Sequence, residues 1–281
     1  MDARGTWTCP SCNTFVVAKH CPACGEKRAD ARDFTAGAIA KLMYEAFSPV
    51  DGKVIRTFRA LVSNPGALTA AFVRGLRTPF MGPLQLFILA NVLFFFIQSF
   101  SDMRILTAGL DPRLSTQDGS AWARALVEAR LAATGRTLAE YKPVFDQAVA
   151  VNAKSLIGLM VPPFALLLPL VFIGRSKPIG VHVIFAIHFY AFVLVLLCVP
   201  LGVMILVKMM GGPGVLSPFA DDLISAAIAV VCGVYLFVAI KPVYHVQGFG
   251  HLARTAILTA AAVYIFLGYR FALLPITLYT T

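Results

Sequence analysis

Long apolar runs and short charged stretches alternate through most of this 281-residue chain. Five runs are apolar and near the length a bilayer crossing needs, roughly 17–25 residues: 83–100, 155–174, 181–207, 223–240 and 255–279. The first holds no charge, and Pro162, Pro163 and Pro169 break the second. The third is long enough to tilt or to kink at Pro200, and Arg270 interrupts the last. A buried helix of a soluble core rarely stays uniformly apolar over such lengths. The pattern predicts an all-α polytopic membrane protein with five transmembrane helices.

The stretches between the runs carry a different period. Within 34–82, Lys41, Lys53, Arg56, Arg59, Arg74 and Arg77 face only Glu45 and Asp51, and Val54, Phe58, Leu61 and Val62 recur at helical spacing. Asn64-Pro65-Gly66 breaks this pattern before a second short amphipathic piece, ALTAAFVRGLR. Basic amphipathic helices of this kind lie along a membrane surface, apolar face inward; a small soluble helical hairpin is the alternative. The 101–154 loop also reads as helical. Trp122, Leu126, Ala129 and Ala133 form one stripe that ends at Gly135, and Thr137 to Glu140 has capping-box spacing. Tyr141, Val144, Phe145, Ala148 and Val149 then carry an apolar face into the second run, so the loop is expected to be a compact external cap. The organisation predicted is a module at 1–33, interfacial helices at 34–82 and a transmembrane domain at 83–281.

Composition agrees: 58% of residues are hydrophobic and 14% charged, against about 25% charged in ordinary soluble domains. The net charge of +10 is distributed by topology. Segments 1–82, 174–180 and 241–254 hold 15 Lys/Arg against 6 Asp/Glu, whereas 101–154 and 208–222 hold 8 of each. Cytoplasmic loops carry such an excess, which predicts a cytosolic N-terminus and an external C-terminus. The start, MDARGTWTCP, has no apolar core of a secretory signal.

The strongest chemical signal is CPSCNTFVVAKHCPACGEKR at 9–28. Cys9, Cys12, Cys21 and Cys24 form two CxxC pairs separated by eight residues, the spacing of a tetrahedral four-cysteine zinc site. Gly25 supplies the permissive backbone that follows such a turn, and Asn13 tolerates a left-handed conformation in the equivalent place. Pro10 and Pro22 stiffen the turns, and TFVV suits a small hairpin. So short a module cannot bury enough surface to fold alone, so Zn2+ would supply its folding energy, on the order of 10 kcal/mol. A thioredoxin-like redox site would need a βαβ context that is absent, and disulfides do not persist on a reducing side of the membrane. His20 reads as a solvent-facing neighbour rather than a ligand. Residues 1–33 carry five Lys/Arg against four Asp/Glu, which is no basic footprint for nucleic acid.

Four further histidines form a speculative polar site. His182 and His188 lie six residues apart on the third run, so they differ by roughly 9 Å of rise and 120° of direction and share a metal only with help from other helices. His245 and His251 flank QGFG after the fourth run. An ionisable group within a span raises a functional hypothesis, though one histidine bonded to a neighbouring helix is commoner. Cys198 and Cys232 read as packing residues, and Arg270 as an anchor that snorkels to the outer face. Phosphate-binding, dinucleotide and hydrolase motifs are absent, and no catalytic residue is assigned.

With the knuckle, Asn64-Pro65-Gly66, Gly75-Leu76-Arg77, the Pro79 and Pro83 entry to the first run, HVIFAIHFYAF and the segment between Tyr235 and Tyr244 in view, the chain resembles an uncharacterised bacterial inner-membrane family. That family has a short N-terminal zinc ribbon before several spans. The resemblance implies a multi-pass cytoplasmic-membrane protein with structural zinc and brings no catalytic residues. Asn13 stands where a glycine usually follows the first CxxC. The reading is a non-enzymatic scaffold or regulator in the lipid bilayer, whose ribbon docks a cytosolic protein partner or its own membrane domain. The alternative is a small-solute transporter or membrane-embedded enzyme built on His188 and the proline-broken second run. A lipid-handling role for the basic helices is the third.

Overall fold

The computed structural model describes residues 6–28, 53–101, 105–106, 120–175, 177–212 and 218–281. Two short antiparallel strands, β1 (Trp7–Thr8) and β2 (Phe15–Val16), open the chain with Trp7 opposite Val16 and Thr8 opposite Phe15. Helices follow: α1 (Val54–Ser63), α2 (Ala67–Arg74), α3 (Pro83–Gln98), α4 (Ser120–Thr134) and α5 (Leu138–Leu156). A 3-10 turn, Ile157–Met160, leads into α6 (Val161–Val171), and then come α7 (Ile179–Met209), α8 (Pro218–Tyr244) and α9 (Phe249–Thr280).

Four helical stretches are long and apolar enough to cross a membrane: Leu138–Val171, Ile179–Met209, Ala220–Tyr244 and Phe249–Thr280. The first expected run forms α3, which at 16 residues is the short one and extends about 24 Å. Pro83 starts it at the first helical position, where the missing N–H costs nothing. The last run is a continuous helix despite Arg270 and Pro275.

Helix α7 is the centre of the bundle. Half of its most apolar window is buried, against 28% for the other three long stretches, whose outward faces are apolar. It packs against α3 on one side and α6 on another, while α8 pairs with α9. The contacts are built from aromatic rings: Phe164 stacks on Phe189 at 4.9 Å and Phe192 on Tyr235 at 3.7 Å.

One end of the bundle gathers the end of α6, the start of α7, the end of α8 and the start of α9. There Arg175 Nη1 donates to the carbonyls of Tyr244 (2.7 Å) and His245 (2.9 Å), and Arg254 Nε donates to Val171 O at 3.1 Å. Both arginines cap carbonyls that a helix end leaves unpaired. At the opposite end, Asn152 Nδ2 donates to Thr277 Oγ1 and Thr280 Oγ1, and Tyr269 OH donates to Ala153 O at 2.7 Å. These bonds fix the end of α5 across the end of α9, and the 3-10 turn redirects the chain into α6. Helix α5 opens on the capping box expected at Thr137 and Glu140, with both reciprocal bonds made.

The segment before α3 departs from the expected surface helices. Helix α1 is amphipathic, with Arg56 and Arg59 exposed and Thr57 and Leu61 buried. Helix α2, by contrast, is covered by protein: Leu68, Thr69, Ala70, Ala71 and Phe72 are all buried, and α2 contacts both α7 and α8. Small side chains let helix backbones approach closely, and α2 is rich in them. The part of the expected interfacial region at 34–52 lies outside the described residues.

Candidate metal centre and the segment beneath it

Each CxxC forms the tip of its own hairpin, and the two tips are built alike. Cys9 N donates to Thr14 O and Asn13 N to Cys9 O (both 2.9 Å); Cys21 N donates to Glu26 O (2.7 Å) and Gly25 N to Cys21 O (2.8 Å). Asn13 and Gly25 occupy the equivalent left-handed positions, with φ of 56° and 76°. The first hairpin is closed by β1 and β2, so part of TFVV pairs backwards to Trp7 and Thr8. A bridge between His20 and Lys27 closes the second. His20 is exposed and outside the cluster.

This repetition brings Cys9, Cys12, Cys21 and Cys24 together with all four sulfurs within 4.8 Å of one another. Cys9 and Cys24 lie 3.4 Å apart at Sγ, and Cys12 and Cys21 3.5 Å apart. A disulfide needs about 2.05 Å, so these are free thiols. Four thiolates at about 2.3 Å from a tetrahedral ion would be separated by about 3.8 Å, which the observed spread brackets; the donor set fits a thiophilic ion. Hydrogen bonding with the Thr14 side chain and backbone pulls the Cys12 thiol down to about 6. At Cys24 a hydrogen bond from the Glu26 backbone works downward, but burial and the neighbouring sulfurs outweigh it and push the thiol up to about 12. Crowded sulfurs oppose one another's ionisation, and a cation among them would relieve that opposition.

The residue that sequence reasoning missed is Glu26. Its side chain is 2% exposed, yet it forms bonds to three donors. Ser11 Oγ donates to Oε2 at 2.5 Å, tying the two hairpins together. Arg77 N donates to Oε1 at 3.1 Å and Thr78 N to Oε2 at 3.0 Å. Burial works against its ionisation, and the bonds from Ser11, Thr78 and Arg77 outweigh that and hold the carboxyl below the ordinary glutamate range. The module thus docks on the 76–82 segment between α2 and α3. Its partners are backbone N–H groups, which leave no signature in sequence, so the only available signal was an acid placed beside the second knuckle.

The histidines are not brought into one site. His182 is buried and shares a 2.9 Å hydrogen bond between Nδ1 and Tyr244 OH, within a stack in which Phe172 lies 3.8 Å from the Tyr244 ring. His251 Nε2 bonds Phe237 O at 2.7 Å and stacks on the Phe237 ring. His245 is exposed at a left-handed φ of 52°. His188 is buried, with Nδ1 bonded to Thr69 Oγ1 at 2.8 Å and the Phe72 ring edge-on at 5.9 Å. Among the described residues, its Nε2 has no hydrogen-bond partner. It borders a small cavity of about 10 Å³, also lined by Asn64, Gly66, Thr69, Tyr235 and Ala239. Among the described residues, the four cysteines are the group arranged to hold a metal.

A family model described as a protein of unknown function (DUF3667) matches residues 51–95. The matched stretch covers α1, α2, the 76–82 segment on which Glu26 docks and most of α3. No curated protein and no solved structure matches the chain.

Proposed function

We propose that this chain is a five-span protein of the bacterial cytoplasmic membrane whose cytosolic N-terminus is a structural zinc ribbon docked on its own membrane domain, serving as a scaffold or regulator rather than an enzyme. The observation that carries the reading is the Glu26 carboxylate: a buried acid belonging to the cysteine module is satisfied by N–H groups of the 76–82 segment that leads into α3. Zinc held by Cys9, Cys12, Cys21 and Cys24 would fix the two tips, and with them the position of Glu26. Helix α3 acts as the fifth crossing. Asn91 and Phe95 on α3 reach Lys154, through an Asn91 Nδ2 to Lys154 O bond of 3.5 Å and a cation–π distance of 5.7 Å. Lys154 lies 17 residues from the other end of its stretch, a rise of about 25 Å. With α3 crossing, the basic segments 1–82, 174–180 and 241–254 share the cytosolic face.

The alternative, a solute path or membrane enzyme around His188, requires a polar cavity at bilayer depth. The cavity beside His188 has room for about one water molecule, which does not favour that reading. Metal analysis of the purified full chain tests the proposal. One zinc per chain is expected, and Cys9→Ser should lose it while the protein still inserts. A metal-free wild-type protein, or a Cys9→Ser variant with unchanged zinc, would overturn it.

A further inference from the structure

Positive charge collects at one end of the bundle without acids to balance it. From Ser155 to Thr281 the chain holds two acids, Asp221 and Asp222, both at the start of α8. Four cations, Arg175, Lys177, Lys241 and Arg254, stand instead where α6 and α8 end and α7 and α9 begin. Lys241 lies 19 residues along α8 from Asp222, a rise of about 28 Å, which is beyond the reach of a screened charge. Glu26, the acid of the cysteine module, is already committed to Ser11, Arg77 and Thr78.

Two of these cations are fixed in place by the fold. Arg175 is exposed, and its Nη1 donates to both Tyr244 O and His245 O. The edge formed by Nε and Nη2 lies outside those bonds. Such an edge meets a phosphate in two parallel hydrogen bonds. Arg254 is held through Nε to Val171 O and Nη1 to Gly250 O, which leaves Nη2 outside. Its guanidinium lies 6.0 Å from the Phe172 ring, and that ring stacks on Tyr244, so both arginines belong to one cluster.

The cluster sits at headgroup depth. Helices α8 and α9, of 27 and 32 residues, are about 40–48 Å long, against a hydrocarbon core of about 30 Å. Arg254 lies five residues into α9 and Lys241 three from the end of α8, about 5–8 Å inside the helix ends. Apolar side chains stand uncovered at the same end: Phe249 is 84% exposed, Ile173 75%, and Leu252 is exposed beside them. Fixed cations next to bare apolar groups match a phosphate joined to acyl chains, whereas a soluble anion would leave the apolar groups in water.

We propose that this corner is a binding site for an anionic phospholipid. Arg175 and Arg254 take its phosphate, Lys177 and Lys241 add charge at the rim, and Ile173, Phe249 and Leu252 meet the first carbons of its acyl chains. Basic pockets between the ends of membrane helices recognise anionic headgroups in this way. The bound phosphate would tie the α6–α7 turn to the α8–α9 turn from the lipid side, where Arg175 and Arg254 already tie them from within. The inference rests on the reading above only in that the long helices cross a bilayer; it needs neither zinc nor the docking of the module.

The test titrates the full chain in detergent micelles with phosphatidylglycerol or phosphatidylcholine and counts retained lipid by native mass spectrometry. Phosphatidylglycerol should bind about tenfold more tightly than phosphatidylcholine. Lys177→Gln with Lys241→Gln leaves both arginine caps in place and should weaken it about fivefold for each charge removed, with unchanged melting in lipid-free detergent. Lys154→Gln, at the opposite end, should not weaken it. Equal retention of the two lipids, or an equal loss in Lys154→Gln, would overturn the site. Glycerophosphoglycerol, the same headgroup without acyl chains, should compete poorly; competition as strong as that of the lipid would overturn a lipid as the occupant. Failure of the membrane reading would show separately, as a chain released from membranes by alkaline carbonate.

Discussion

Gly66 and Thr69 set the tightest constraints at the scale of single residues. Gly66 has φ of +78° and a Cβ there would stand 2.3 Å from a backbone oxygen of α8. Gly135 has a similar φ of +64° with nothing within 4 Å. Gly135→Ala should therefore cost only the left-handed penalty, about 1–2 kcal/mol. Gly66→Ala adds a backbone clash and should cost clearly more; thermal unfolding of both variants in one detergent checks the difference. Thr69→Val should leave His188 Nδ1 buried without a partner, a loss of about 1–3 kcal/mol, and Thr69→Ser should restore most of it. Equal melting of the Val and Ser variants would refute that account of the contact. Some of this residue-scale chemistry was legible in the sequence. The paired cysteines and the left-handed positions of Asn13 and Gly25 follow from the chemistry of a two-residue knuckle. The Thr69–His188 bond was not legible, because its partners lie 119 residues apart and neither residue type announces the other.

Among the elements, those whose boundaries are set by local chemistry were the readable ones. Long apolar runs became α7, α8 and α9, and the spacing of Thr137 and Glu140 became a cap with Glu140 N donating to Thr137 Oγ1 and Thr137 N donating to Glu140 Oε2. Thr137→Ala should cost about 1 kcal/mol and fray the start of α5, seen as faster hydrogen exchange in the 138–142 peptide, whereas Thr137→Ser should not. Helix α2 shows where the reading stops. Its alternation of small and apolar residues around Arg74 fits a surface helix as well as one wedged between two others, and what decides is the close approach of α8 at Gly66. The break between α5 and α6 was signalled in part: Pro162 and Pro163 fall in the first turn of α6, directly after the 3-10 turn, whereas Pro169 lies inside that helix without ending it; the bonds of Asn152 and Tyr269 to distant residues at the turn were not legible.

For the molecule as a whole, one carboxylate joins two parts that the sequence presents as independent: a cysteine module and a helical bundle. A hydrogen bond to a charged group contributes about 1.5–3 kcal/mol, and Glu26 makes two such bonds across the junction, enough to keep the parts together most of the time. On the proposed reading, a metal at the four cysteines would hold Glu26 in place, since so small a module has little else to fold it. Under the proposed topology, with the basic segments cytosolic and α3 crossing, reporter fusions after residues 100 and 212 should both report an external location. The most direct measurement of the central claim is hydrogen exchange at the 76–82 peptide in the intact protein, before and after zinc is removed with a chelator. The account predicts slow exchange of the Arg77 and Thr78 amides when zinc is bound and fast exchange once it is gone, with the long helices unchanged. Equal exchange in the two states would contradict it.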